Sequence, residues 1–158
     1  MQVIKNIREN IQDATFTTDL MVGFPGETEE EFLETLDFVK EARFLDAHVF
    51  AYSRREGTPA AYYDGQIPEQ VKHERSSRLI EAKNATRDAL LDEIVRGGGA
   101  LFAIAESASA DSHYSGHTDT FVEVKFFSEQ KDLSGEIVKL APVSHNNGVV
   151  LCEIIKKI

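Results

Sequence analysis

Cysteine is nearly absent: Cys152 is the single one in 158 residues. An intrachain disulfide is thereby excluded, which fits a reducing cytoplasm. Long apolar runs are missing as well, and the polar N-terminus does not read as a signal peptide. No membrane association is expected on that ground. Positive charge is the third shortage, with 17 Lys and Arg against 27 Asp and Glu and a formal net charge of -10. That balance excludes a generally basic nucleic-acid binder, so any RNA contact rests on a local patch or on other parts of a larger protein. What is present is core-forming material. With 42% hydrophobic and 28% charged residues, the chain reads as soluble and globular, long enough for one or two domains.

The organising stretch is residues 17–32. The apolar residues 20–22 stop at Gly23-Phe24-Pro25-Gly26, and an acidic amphipathic run follows. This pattern predicts strand, sharp turn and helix. Pro25 removes a backbone donor, and the flanking glycines open backbone geometry closed to other residues. Thr28 with Glu31 has capping-box spacing, and Glu29, Glu30 and Glu31 suit the positive end of a helix dipole. Phe32, Leu36 and Val39 then recur at helical spacing. A phosphate loop would end in Lys and Ser or Thr, whereas this turn ends in Glu27 and Thr28. Carboxylates here accept hydrogen bonds from ribose hydroxyls or an ammonium group. A plain tight connection is the other reading of the same residues.

Taken in order, residues 1–12 predict a helix with Val3, Ile4, Ile7 and Ile11 on one side. A strand ends at Val22, a helix runs from near Thr28 to about Ala42, and residues 47–52 form a second strand. The α-β-α-β order implies parallel strands covered by helices. Two such strands are too few for a finished sheet, so this region reads as the tail of a larger barrel whose beginning is absent. Residues 53–67 are a long loop. Pro68 opens another helix with Val71, Leu79, Ala82, Leu90 and Ile94 as a broken apolar stripe, and Gly97-Gly98-Gly99 ends it at the best domain boundary. Beyond it the pattern alternates. Residues 101–105, 120–127, 135–140 and 149–155 read as strands, a further short one lies within 112–119, and Asn146-Asn147-Gly148 is a turn. Such strands suggest a small closed barrel of OB-like kind.

Few residues advertise chemistry by themselves. Cys152 reads as a small core residue. His113 and His117 are four apart but in a loop-like stretch, and His48, His73 and His145 lack companions. Arg54 and Arg55 either pair with Glu56 or Asp64 at the surface or present forks to an anion. Lys125, Lys139, Tyr114 and Phe121 either meet phosphate and base or are solvated lysines beside core aromatics.

Residues 18–28, TDLMVGFPGET, resemble the late strand-turn-helix of radical S-adenosylmethionine enzymes, above all the methylthiotransferases. Residues 49–61, VFAYSRREGTPAA, resemble the strand and loop that follow in that family, and residues 116–124 and 133–138 resemble its C-terminal, RNA-contacting TRAM domain. The resemblance implies α/β followed by β. It gives the last strands and helices of a partial (β/α) radical S-adenosylmethionine barrel over 1–66, a connecting helix and glycine linker over 67–99, and an OB-like TRAM β-barrel over 100–158. It implies S-adenosylmethionine and two 4Fe-4S clusters in the parent family. One cluster needs a Cys-x3-Cys-x2-Cys run and the other three more cysteines, so a chain with Cys152 alone holds neither. On this view it is a C-terminal fragment or the product of a truncated gene, inactive in methylthio transfer by itself.

By the same resemblance, Asp19, Gly23, Gly26, Glu27, Tyr52, Ser53 and Arg55 line the cofactor, at the strand ends where barrel active sites gather. Asp19 has a second reading, as a buried hydrogen-bonding residue. Arg54, Tyr114, Phe121, Lys125 and Lys139 are the implied RNA contacts. The block around Arg54 and Glu56-Gly57, with residues 116–121, most resembles enzymes acting on N6-threonylcarbamoyladenosine in the tRNA anticodon loop. Isopentenyladenosine enzymes tend to have Pro and Pro-Gly at the first of these positions. The implied partner is tRNA, in the cytoplasm and without membrane. A ribosomal-protein methylthiotransferase fragment and a non-catalytic RNA-binding or interaction module stand as alternatives. Exposed strand edges and an apolar helix face would make the barrel piece self-associate.

Overall fold

The computed structural model describes residues 1–11, 13–130 and 132–158. They divide into two compact units, one of Met1–Gln12 and Phe16–Thr86, the other of Asp13–Thr15 and Arg87–Ile158.

In the first unit, helix α1 spans Gln2–Asn10, and the helix end expected at Gln12 lies outside the described residues. Strands β1 (Thr17–Val22) and β2 (Asp46–Ala51) pair in parallel, with Thr17 opposite Asp46 and Val22 opposite Ala51. Helix α2, Glu29–Ala42, connects them. It starts where expected: the Thr28 hydroxyl accepts from the Glu31 N–H, and the Glu31 carboxylate accepts from the Thr28 N–H. It stops at Arg43, whose backbone is left-handed, and the Arg8 guanidinium donates to the Ala42 and Arg43 carbonyls left over at that end.

Spacing then decides the packing. Phe32, Leu36, Val39 and Ala42 form one buried face of α2 and meet Val22, Phe44 and Leu79, with Leu20 and Val49 against them. Burying a side chain such as Phe32 or Leu79 stabilises by about 2–3 kcal/mol. The apolar face of α2 is therefore covered, whereas α1 buries no residue and leaves Val3 70% exposed. Strand alternation instead turns Asp19, Met21, His48 and Phe50 outward, and Met21 and Phe50 remain 45% and 36% exposed. The expected loop 53–67 holds one 3-10 turn, Pro59–Tyr62. Helix α3, Glu69–Gly97, follows; its residues through Thr86 belong to the first unit and the rest to the second.

The second unit is a closed barrel of β3 (Leu101–Ala108), β4 (His113–Thr118), β5 (Glu123–Phe127), β6 (Ile137–Asn146) and β7 (Val149–Lys157), in the order β3-β4-β5-β7-β6. All neighbours are antiparallel except β5 and β7. Alternation fills the interior with Ala103, Ala105, Tyr114, Val124, Phe126, Val138, Leu140, Val150 and Cys152. Gly116 sits at the tightest crossing, where a Cβ would lie 1.9 Å from the Ile104 carbonyl oxygen.

Two strand boundaries and one core position are instructive departures from expectation. The strand expected from 120 starts at Glu123, because Thr118 and Val122 close a loop through both backbone and side chain and Phe121 is left-handed. Strand β6 continues past Leu140 to Asn146, with a register shift at Pro142 absorbing its missing donor. On α3 it is Leu91 that is fully buried, one residue beyond Leu90. Asn147 and Gly148, both with positive φ, make the expected β6–β7 turn. No helix among the described residues is long and apolar enough to cross a membrane.

Candidate functional site

The glycine-proline turn at the end of β1 is built by backbone bonds. The Glu27 N–H donates to the Phe24 carbonyl at 2.9 Å. Pro25 in the second place and Gly26, with φ 88°, in the third make this a type II turn. The Gly26 N–H donates to the Gly65 carbonyl at 2.9 Å, tying the turn to the loop after β2. Gly23 has φ 71° and is buried, and a Cβ there would lie 2.4 Å from Lys72 Cγ. Its N–H donates to Glu27 Oε2 at 2.7 Å.

Glu27 is thus a fastener of the turn. The same Oε2 accepts from Arg75 Nη1 at 2.5 Å, and that guanidinium also donates to the Glu27 carbonyl at 3.1 Å. Arg75 is 5% exposed, and its other arm reaches Glu29 Oε2 at 3.3 Å, where Arg78 joins at 2.7 Å. The Arg78 hydrogen bond, helped by the nearby positive charges, holds the Glu29 carboxyl below its ordinary range. Both guanidinium groups stack over Phe32. Lys72, also buried, puts Nζ over the Tyr52 ring at 5.5 Å and on Glu69 at 2.7 Å.

Neither Lys72 nor Arg75 was singled out from the sequence. Their signal is positional: 72, 75, 79 and 82 form one helical stripe, so two cations continue the face that Leu79 and Ala82 bury.

The other expected cofactor residues are spread around this turn. Tyr52 is 8% exposed, T-stacked on Phe24 at 5.3 Å, and its hydroxyl is buried without a hydrogen-bond partner. Ser53, Arg54 and Arg55 are exposed. Among the described residues no ion pair joins either arginine to Glu56 or Asp64, so the surface-pairing reading fails. Asp19 is exposed on the outward face of β1 beside His48, which removes its reading as a buried residue. On the α2 side of the turn lies an open groove of about 610 Å³ bordered by Phe24, Pro25, Glu31, Glu34 and Phe38. Its carboxylates Glu27 and Glu31 already accept from backbone N–H groups.

On the barrel, Phe121 is 73% exposed and Lys125 is exposed, while Lys139 Nζ lies 5.7 Å from the Phe102 ring centroid. Tyr114 is a correction. It is 4% exposed, stacked on Phe126, and its hydroxyl donates to the Gln130 carbonyl, so it is core and presents nothing to RNA. His113 and His117 lie on β4, not in a loop; His113 Nδ1 lies 3.0 Å from Asp111 Oδ2 without a hydrogen bond, and His117 Nδ1 meets Glu106 Oε1 at 3.0 Å. Four strand residues span about 13 Å, which separates them as ligands. His145 contacts Asp92 at 3.0 Å. Burial pushes the Cys152 thiol up to about 11, as befits a buried core cysteine. Among the described residues no group of three or more His, Cys, Asp or Glu could hold a metal ion.

A parallel strand pair ending in a pinned Gly-Phe-Pro-Gly turn, plus a separate five-stranded barrel, defines a two-unit α/β and β chain. No protein-family model matches it. Curated relatives do. The chain is 38% identical over 142 residues to a tRNA-2-methylthio-N(6)-dimethylallyladenosine synthase of Clostridioides difficile, covering 87% of this chain and 29% of the relative. A protein of the same name from Clostridium botulinum is 36% identical over 164 residues, 99% of this chain and 34% of the relative. One from a Thermoanaerobacter species is 55% identical over 84 residues, 53% of this chain and 18% of the relative. The chain is homologous to these enzymes, and it spans about a third of the length of those matching it nearly end to end, 29% to 34%. Their names carry dimethylallyladenosine, so the threonylcarbamoyladenosine subfamily expected from Arg54 and Glu56-Gly57 is not supported. Nor do they favour the ribosomal-protein or non-catalytic alternatives.

Proposed function

We propose that the chain is part of a tRNA methylthiotransferase acting on N6-dimethylallyladenosine. In this reading residues 1–66 are the closing part of a radical S-adenosylmethionine barrel, 67–99 connect, and 100–158 are an RNA-contacting TRAM domain, with tRNA as partner in the cytoplasm. The observation that carries it is homology over nearly the whole chain to enzymes of that name. The outward face of the strand pair, with Asp19, Met21, His48 and Phe50 uncovered, agrees with a parallel sheet whose second face is covered in a larger barrel.

The residues present do not fit an iron–sulfur cluster. Cys152 is buried in the second unit with its thiol pushed up to about 11, and a cluster needs several thiolates. Neither cluster of the family is held here, and this chain alone makes no methylthio product. S-adenosylmethionine, the cofactor cleaved in the family, fits better: the orphaned Tyr52 hydroxyl sits at the C-terminal end of the parallel strands, where such ligands bind. Asp19, Ser53 and Arg55 are open to face it. Gly23 and Gly26 keep the turn free of side chains, and Glu27 holds its shape. On the barrel, Phe121, Lys125 and Lys139 remain as RNA contacts, with Arg54 in the loop after β2.

Inactivating the gene in its host and analysing digested tRNA by mass spectrometry tests this reading. The expected result is loss of 2-methylthio-N6-dimethylallyladenosine with accumulation of N6-dimethylallyladenosine. Loss of a methylthio group from threonylcarbamoyladenosine instead, or no change, overturns it.

A further inference from the structure

We propose that Tyr63 and Phe24, flanked by Tyr62, form a stacking platform for an unpaired RNA base beside the strand-end turn. This rests on the tRNA reading above and adds residues that the family resemblance does not single out. Tyr62, Tyr63 and Phe24 are 72%, 50% and 42% exposed. Tyr63 meets Phe24 edge to face at 6.3 Å, and Phe24 meets the buried Tyr52 at 5.3 Å. The array is therefore anchored in the core at one end and open at the other. Scattered exposed aromatics are ordinary, but here Tyr63, Phe24 and Tyr52 follow one another along ring contacts, with Tyr62 adjacent in sequence.

The loop that presents them is already fastened. The Gln66 amide donates to the Ala60 and Tyr63 carbonyls, each at 3.0 Å, and Gly65 accepts from the Gly26 N–H. A base that stacks on Tyr63 meets a ring whose backbone needs little further ordering. Arg54 and Arg55, exposed and two and three residues beyond Tyr52, are placed in sequence to meet the adjoining phosphates. Glu56 and Asp64 share the loop and limit that attraction, so stacking supplies most of the affinity. Two phosphate contacts from these arginines contribute about -1.4 to the salt slope of single-strand binding.

The test measures binding of an anticodon stem-loop RNA to the 158-residue chain by fluorescence anisotropy, with a fully paired, blunt-ended RNA duplex and S-adenosylhomocysteine as comparison probes. Tyr63→Ala is expected to weaken stem-loop binding about 5- to 100-fold, leave duplex binding unchanged, and be rescued by Tyr63→Phe. Equal binding by Tyr63→Ala and the unaltered chain, or equal weakening on both RNAs, overturns the platform and leaves the tRNA reading to the nucleoside analysis. Weakening confined to S-adenosylhomocysteine assigns the stacked base to a cofactor and overturns the RNA assignment. Failure of the unaltered chain to bind the stem-loop at low salt also overturns the platform, which lies wholly on this chain.

Discussion

Replacing Arg75 with methionine keeps most of the side-chain volume and removes the charge that holds Glu27. The two side chains are 6% and 14% exposed, so their interaction is poorly screened and the carboxylate left behind is poorly hydrated. Removing one partner of a buried pair costs about 3–5 kcal/mol. The low end applies here. Gly23 N–H still serves the carboxylate, Arg75 Nε already lacks a partner, and the second tie runs to a half-exposed Glu29. A loss of about 3 kcal/mol corresponds to local opening roughly 100-fold more frequent. Amide hydrogen exchange is the suitable assay, since it reads the Gly23–Glu31 segment without assuming that two units unfold as one. The Glu27→Gln, Arg75→Met double variant should return to within about 1 kcal/mol of the unaltered chain, because a neutral pair leaves no charge stranded. Exchange in that segment within about threefold of the unaltered chain for Arg75→Met, or strictly additive losses in the double variant, would refute the reasoning.

Gly116→Ala places a methyl 1.9 Å from the Ile104 oxygen, a backbone atom that cannot swing away. It should cost more than about 3 kcal/mol and speed exchange along β3 and β4. Thr28→Ala loses one half of the capping box and should lower stability by about 1 kcal/mol in urea unfolding, with Thr28→Asp largely retaining it. Cys152, with its thiol pushed up to about 11, should react with iodoacetamide about 100-fold more slowly at pH 8 in the folded than in the unfolded chain. The same shift makes stability pH-dependent. The unfolded thiol loses its proton near its ordinary value while the folded one keeps it, so stability present below about pH 9 falls toward pH 11, by on the order of 2–3 kcal/mol. An alkaline denaturation series on Cys152→Ala, which should lack that component, checks it.

What was legible in the sequence was what depends on neighbours along the chain. The capping box, the type II turn at Pro25-Gly26 and the Asn147-Gly148 turn each need only a few adjacent residue types, and all three were readable. Long-range packing was not. Tyr114 looked available to RNA because alternation says which residues share a face, not which face is inside; its burial on Phe126 depends on how β4 and β5 close the barrel. The two histidines show the same dependence, since a spacing of four brings ligands together on a helix and separates them on a strand. Lys72 and Arg75 are not legible from an apolar pattern, because they continue its stripe as cations. Cations on that stripe are readable only once Glu27 is known to lie opposite.

The adenosine substrate was the least legible feature, for a physical reason. The residues on which the subfamily expectation leaned, Arg54, Glu56 and Gly57, are all exposed in the loop after β2. No core contact constrains them, so they are free to differ between proteins that act on the same nucleoside. The residues that do hold the strand ends in place, Gly23, Gly26, Glu27 and Tyr52, contact one another, α3 or the loop at Gly65. Those contacts set the shape of the turn rather than the choice of ligand. Specificity for dimethylallyl over threonylcarbamoyl is a choice between an apolar and a charged substituent, and it must be made by side chains that reach the base. On the stacking proposal above, the ones so placed are the half-open rings of Phe24 and Tyr63. Apolar ring faces beside the turn suit a dimethylallyl group better than a carboxylate. Exchanging Tyr63 for arginine is therefore the substitution expected to penalise the dimethylallyl substrate most while leaving the turn intact. Unchanged methylthiolation of tRNA in cells carrying Tyr63→Arg would show that the selection is made elsewhere.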